Sequence, residues 1–88
     1  MEFRNIISFL KVNEVSSFSK AAEILGYTQS NISAHIQQLE RELQHPLFER
    51  FGKNIYLTEY GRTFLPYACE IVHSMEQAKL CLCDDLSN

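Results

Sequence analysis

One apolar seam in the last third of the chain limits the possible folds more than any other feature. Between Glu59 and Leu86, apolar residues recur at alternating spacings of four and three, which is typical of a helix that packs along another helix. Such a helix would be about 42 Å long, too long for a small three-helix core to cover. We expect it to pair two copies of the chain, the alternative being a stripe packed wholly against its own domain. The seam comprises Phe64, Ala68, Ile71, Met75, Ala78 and Leu82.

Length and composition bound the remaining possibilities. The 88 residues, of which 45% are hydrophobic, suit one small globular domain with an extension. No run of about 18 apolar residues predicts a membrane span, and the N-terminus lacks the layout of a secretory signal. We therefore expect a cytoplasmic protein without membrane contact, whose thiols stay reduced. We expect these thiols, Cys69, Cys81 and Cys83, to be buried or half-buried on a helix.

The charge distribution permits nucleic-acid binding without favouring it. The formal net charge is −3, which opposes a simple polyanion binder. Residues 63–88 carry one base, Lys79, against four acids, and this accounts for the whole excess. The first 62 residues are neutral in sum, so they could still present a basic face.

Three helices are predicted in the first half of the chain. The first runs from Glu2 to Glu14, and the second begins at Ser17 or Ser19 and ends at Gly26. The third follows its cap, Thr28, and continues to Leu43 with one buried apolar stripe. Two helices joined by a tight turn that contains glycine form a helix-turn-helix pattern. The outer face of the third helix is mostly small and polar, which suits close approach to base edges in a DNA major groove or, equally, an ordinary solvated surface.

A short hairpin is predicted after the third helix. Pro46 ends the helix, and two β-prone runs at 47–50 and 55–57 flank turn residues 51–54. A hairpin in this place is a wing, and it would project Arg50 and Lys53 towards phosphates or a minor groove. The alternative is a solubilising turn with incidental charges. The predicted architecture is therefore mainly α, a winged helix-turn-helix over residues 1–57 followed by a long linker or dimerisation helix over 58–88.

Five segments in collinear order resemble the N-terminal module of LysR-type transcriptional regulators. They are FSKAAE at 18–23, TQSNIS at 28–33, IQQLEREL at 36–43, PLFER at 46–50 and LTEYG at 57–61. The resemblance implies DNA binding by a winged helix-turn-helix and pairing of subunits by a linker helix. In that family an effector-binding domain follows, and nothing in this chain corresponds to it. Full-length members often form tetramers.

The resemblance also assigns roles to individual residues. Gln29, Ser30 and Ser33 match positions that contact bases and phosphates. Thr58 matches the threonine that caps the linker helix near the DNA backbone. Ala34 departs from the pattern, because the family often has an arginine there, so base reading should be weaker or different. The expected DNA-binding set is Gln29, Ser30, Ser33, Ala34, Gln37, Arg50, Lys53 and Thr58.

The sequence thus favours sequence-specific binding of double-stranded DNA by a homodimer on an inverted repeat, for control of transcription. A rival interpretation is a dimeric winged-helix module that binds protein and has lost DNA binding, which the net acidity and Ala34 favour. An enzyme is not expected, because His35, His45 and His73 have no arranged nucleophile and no glycine-rich phosphate loop is present. We expect no cofactor and no metal, since no paired CxxC adds ligands to Cys69 and His73. We expect His35 to pack or to contact a phosphate rather than a base.

Overall fold

A computed structural model describes the backbone of residues 1–87 and the side chains of residues 1–82. Helices α1 (Phe3–Val15), α2 (Phe18–Leu25) and α3 (Gln29–Leu43) precede strands β1 (Phe48–Phe51) and β2 (Asn54–Leu57), and α4 (Glu59–Ser87) follows. The strands pair antiparallel, with Arg50 opposite Ile55. The predicted fold class, a mainly α winged helix-turn-helix with a long final helix, is confirmed. Among the described residues, none of the helices combines the length and the apolar character that a membrane span requires.

The helix boundaries follow from local capping. The side chain of Ser17, rather than Ser19, caps α2 by accepting a hydrogen bond from the backbone of Lys20 at 3.1 Å. Gly26 ends that helix at φ 77°, in the left-handed region that glycine adopts without strain. Thr28 and Asn31 then form a reciprocal capping box at the start of α3. These caps set a tight turn between α2 and α3, as the sequence predicted.

The core lies where α1, α3 and the start of α4 meet. Phe9 is fully buried and packs against the rings of Phe48 and Phe64, with centroid distances of 5.4 and 5.1 Å. Ala21 and Ala22 of α2 are also buried, and their small side chains allow α2 to pack against both α1 and α3. The buried stripe of α3 consists of Ile32, Ile36 and Leu39. This stripe turns the opposite face of α3 outwards.

The base of the wing is attached to both neighbouring helices. The carboxylate of Glu40 on α3 accepts a hydrogen bond from the backbone N–H of Leu47 at 2.8 Å. The hydroxyl of Thr58 donates to the carbonyl of Pro46 at 2.6 Å, and the N–H of Thr58 donates to the carbonyl of Leu47 at 3.0 Å. A Cβ at Gly61 would collide with that same carbonyl, so α4 begins in direct contact with the wing. The hairpin is therefore held in a defined orientation relative to α3.

The apolar seam of α4 is divided between two environments. Phe64 and Ala68 are buried in the domain's own core, at 8% and 0% exposure, which corrects the expectation that they face a second subunit. Leu65 and Val72 are half-buried against the same core. The helix continues through Pro66, and its four later seam residues are exposed: Ile71, Met75, Ala78 and Leu82. The early turns of α4 thus complete the small core that α1–α3 leave open.

The expected burial of the cysteines was wrong for the two thiols whose side chains are described. Cys69 and Cys81 are both exposed. Cys69 lies on the solvent side of the turn that buries Ala68, and Cys81 lies beyond the part of α4 that packs against the core. Cys83 lies outside the described side chains.

Candidate nucleic-acid interface

Five of the predicted DNA-binding residues share one exposed face of α3. Gln29, Ser30, Ala34 and Gln37 are exposed and Ser33 is half-buried. Together these five side chains line one shallow recess. The face presents two amides, two hydroxyls and a methyl group. It can therefore donate and accept hydrogen bonds, and it lets a second surface approach closely.

The wing lies beside the start of this face. A second recess runs between the wing tip and the start of α2, and it is lined by Gln29 together with Arg50 and Lys53. A third recess joins Ser33 and Gln37 to Arg50. The outer face of α3 and the two wing cations consequently form one continuous surface, which we call the α3–wing surface.

Arg50 occupies the centre of that surface. Its guanidinium carbon lies 4.8 Å from the centroid of the Phe18 ring, in a cation–π contact. Among the described residues, no carboxylate lies within salt-bridge distance of Arg50 or Lys53. Glu40, which lines the third recess, directs its carboxylate to the backbone of Leu47. The surface is therefore locally cationic although the chain is acidic.

Thr58 is the one predicted DNA-binding residue that the fold separates from the α3–wing surface. It is buried, and its hydroxyl donates to Pro46 and accepts from the N–H of Gly61 at 3.0 Å. The side chain thus caps α4, as the sequence predicted, and joins that helix to the base of the wing. Both of these hydrogen bonds of the hydroxyl are made to backbone groups of the protein itself.

His35 is half-buried and packs against α1 and Tyr27, in agreement with the expectation that it would pack or contact a phosphate rather than a base. Its Nδ1 lies 2.7 Å from the hydroxyl of Ser8, and its ring meets Tyr27 edge-on at 4.9 Å. Burial, together with the positive charge of Arg4, holds the pKa of His35 below its ordinary value of 6.5. A ring that is neutral and tied to α1 contributes to the attachment of α3 and does not belong to the outer face.

Sequence reasoning missed several residues that complete the α3–wing surface. From the sequence, Phe18 belongs only to the break before the second helix and to the FSKAAE segment, and the turn residue Asn54 has no separate role. The run Ser16-Ser17-Phe18-Ser19 carried a usable signal, because hydroxyls and the unpaired backbone N–H groups of a helix start favour anions. That the start of α2 faces the wing depends on packing. The added lining residues of this recess are Ser16, Ser17, Phe18, Ser19, Gly52, Asn54 and Ile55.

Comparisons with known proteins agree with this geometry. Residues 3–62 match the family described as "Bacterial regulatory helix-turn-helix protein, lysR family". The chain is 42% identical over 80 residues to the uncharacterized HTH-type transcriptional regulator YwqM of Bacillus subtilis (strain 168). That match covers 91% of this chain but only 27% of YwqM. The relatives' names describe transcriptional regulators rather than enzymes.

Two solved structures have the same fold over nearly the whole chain. The BenM_DBD/catB site 1 DNA complex superposes with a TM-score of 0.94 at 34% identity, covering 100% of this chain and 99% of that one. The CbnR_DBD–DNA complex gives a TM-score of 0.90 at 31% identity, covering 98% of this chain and 99% of that one. With the family match extending across the winged helix-turn-helix, the chain belongs to the lysR family of bacterial regulatory helix-turn-helix proteins.

Proposed function

We propose that this chain binds double-stranded DNA in a sequence-dependent manner and so acts in the regulation of bacterial transcription. The observation that carries the proposal is the α3–wing surface, where a small polar helix face adjoins two cations that pair with no carboxylate among residues 1–82. The two similar domains solved as DNA complexes support it. Such a regulator would act in the cytoplasm, where bacterial DNA lies.

In this proposal α3 enters the major groove. Gln29, Ser30, Ser33 and Gln37 supply donors and acceptors to base edges and phosphates. Ala34 supplies only a methyl group, which fits the methyl of thymine but cannot make the bidentate contact with guanine that an arginine makes. Sequence preference should therefore depend on amide and hydroxyl contacts and on DNA shape.

The wing supplies charge next to this helix. Arg50 and Lys53 would contact phosphates or enter the adjacent minor groove, where cations are attracted most strongly when the groove is narrow. Thr58 would act indirectly, because its hydrogen bonds orient the wing and the start of α4 near the DNA backbone.

We further propose that two chains pair through the exposed part of the α4 seam. Ile71 and Met75 are 38% and 44% exposed, and Ala78 and Leu82 continue the same stripe beyond the core. Burying such a stripe against a second copy removes apolar surface from water and places two α3 helices symmetrically on an inverted repeat. Because the chain spans about a quarter of the length of YwqM, inducer binding and tetramer formation would belong to a longer protein.

The rival function is a dimeric module that binds protein and has lost DNA binding. The acidic charge of the chain and the absence of an arginine at Ala34 favour it. Selection of bound duplexes from a random pool at low salt, followed by mobility shift, separates the two. We expect the selection to enrich an inverted repeat. If the chain sediments as a dimer but retains no duplex, the result favours the rival.

A further inference from the structure

The contact between Arg50 and Phe18 joins two elements that are distant in sequence. Phe18 is the first residue of α2, and Arg50 lies on β1 in the wing. Both residues line the recess at the wing tip and the recess beside α3. The guanidinium therefore lies where these two recesses meet, at the centre of the α3–wing surface.

The Phe18 ring is itself held in place. It is buried at 8% exposure and meets Phe48 edge-on at a centroid distance of 6.1 Å. Phe48 in turn packs against Phe9 in the core. Arg50, in contrast, is exposed and carries a long side chain with many rotamers, which must be ordered when it contacts a ligand. A rigid aromatic face under a flexible cation restricts the cation before any ligand arrives.

We infer that Phe18 is a positioning residue for DNA binding, which holds the Arg50 guanidinium at the junction of α2, α3 and the wing. This inference rests on the proposed function. The ring attracts the guanidinium without accepting hydrogen bonds from its N–H groups, as a carboxylate would. Its N–H donors and its positive charge therefore stay available to a phosphate or a base edge. A carboxylate in the same place would fix the side chain equally well but would neutralise it.

A double-mutant cycle tests the inference. The variants are Phe18→Leu, which keeps an apolar side chain but removes the ring face, Arg50→Ala, and the two combined. Phe18→Tyr keeps the ring as the conservative control. Affinity for the selected duplex is measured by fluorescence anisotropy. We expect Phe18→Leu to weaken binding about two- to fivefold, Phe18→Tyr to retain most of the affinity, and Phe18→Leu to have no further effect once Arg50 is alanine.

A second readout needs no DNA. In the free protein, the ring current of Phe18 should move the side-chain protons of Arg50 upfield in the parent and in Phe18→Tyr, and Phe18→Leu should abolish the shift. Equal losses of affinity from Phe18→Leu in both Arg50 backgrounds, or no upfield shift in the parent, would overturn the inference. If Phe18→Leu does not fold, the test rests on the parent protein, in which the Arg50 side-chain protons must show the upfield ring-current shift. A parent that binds no duplex overturns the proposed function itself, and the inference with it.

Discussion

The carboxylate of Glu40 accepts a hydrogen bond from the backbone N–H of Leu47 at 2.8 Å, and so connects the last turns of α3 to the first residues of the wing. Leu47 is buried, so this N–H has no access to water. The same segment is held from the other side by Thr58 at the start of α4. The relative orientation of α3 and the wing therefore depends on these hydrogen-bonded connections.

Replacing Glu40 with alanine should lower the free energy of unfolding by about 1–3 kcal/mol, because it leaves a buried N–H without an acceptor. Glu40→Gln is the matched control, since its amide oxygen can still accept the bond, and it should lose less than half as much. Urea unfolding followed by circular dichroism measures both. Equal losses in the two variants would mean that the charge of Glu40, not its acceptor oxygen, matters.

Replacing Ser33 with glutamate should abolish specific DNA binding while leaving the fold intact. A carboxylate on the outer face of α3 would repel phosphates and block close approach. The melting temperature should change by less than about 4 °C, because this face has no role in the core. Gln77→Glu on α4 adds the same charge away from α3 and should bind normally. Retained operator affinity in Ser33→Glu would contradict the assignment of α3 to the major groove.

Replacing Arg50 and Lys53 with alanine should weaken binding and flatten its dependence on salt. Each lost phosphate contact reduces the magnitude of the negative slope of log K against log salt by about 0.9, so the pair should reduce that magnitude by about 1.8 for each subunit. Lys79→Ala on α4 removes one charge outside the α3–wing surface and should leave the slope unchanged. An unaltered slope in the double variant would remove the wing from the phosphate contacts.

Aspartate at both Ile71 and Met75 should yield monomers in sedimentation equilibrium, where we expect the parent to be a dimer, because each carboxylate buried by the proposed pairing would lack a partner. Leu80→Asp is the control. Leu80 is also exposed, at 59%, but it lies nine residues after Ile71 and so on the opposite side of α4. We expect it to stay dimeric. Dimers that persist in the double variant would refute pairing through the exposed seam.

Stability should decrease in mildly acidic solution through His35. Burial and the charge of Arg4 lower its pKa in the folded state below 6.5, so folding favours the neutral ring. For such a group the contribution to stability is complete above about pH 6.5 and is lost progressively as the pH falls. Between about pH 7.5 and 5 the parent should lose more stability in urea than His35→Gln, which cannot titrate. Parallel losses would show that His35 is not responsible.

Much of the site could be predicted because it depends on neighbours in sequence. The outward face of α3 follows from the helical spacing of Ile32, Ile36 and Leu39, which assigns the opposite arc to solvent. The wing followed from Pro46 and the turn residues after it. Phe18 could not be assigned to the α3–wing surface from the sequence. A pattern of apolar residues shows which side chains are buried, but it does not show which side chains of other elements contact their exposed edges.

The helices, the turn at Gly26 and the hairpin follow from the sequence alone, since they rest on contacts within a few residues and on the conformational limits of single residues. The division of the α4 seam, in contrast, depends on tertiary packing, because the same heptad spacing suits a partner helix and the domain's own core. Phe64 packs against Phe9 and Ala68 is fully buried, whereas Ile71 and Met75 are exposed. Likewise, the three-dimensional crossing of α2 and the wing brought Arg50 over Phe18, a contact that no local pattern encodes.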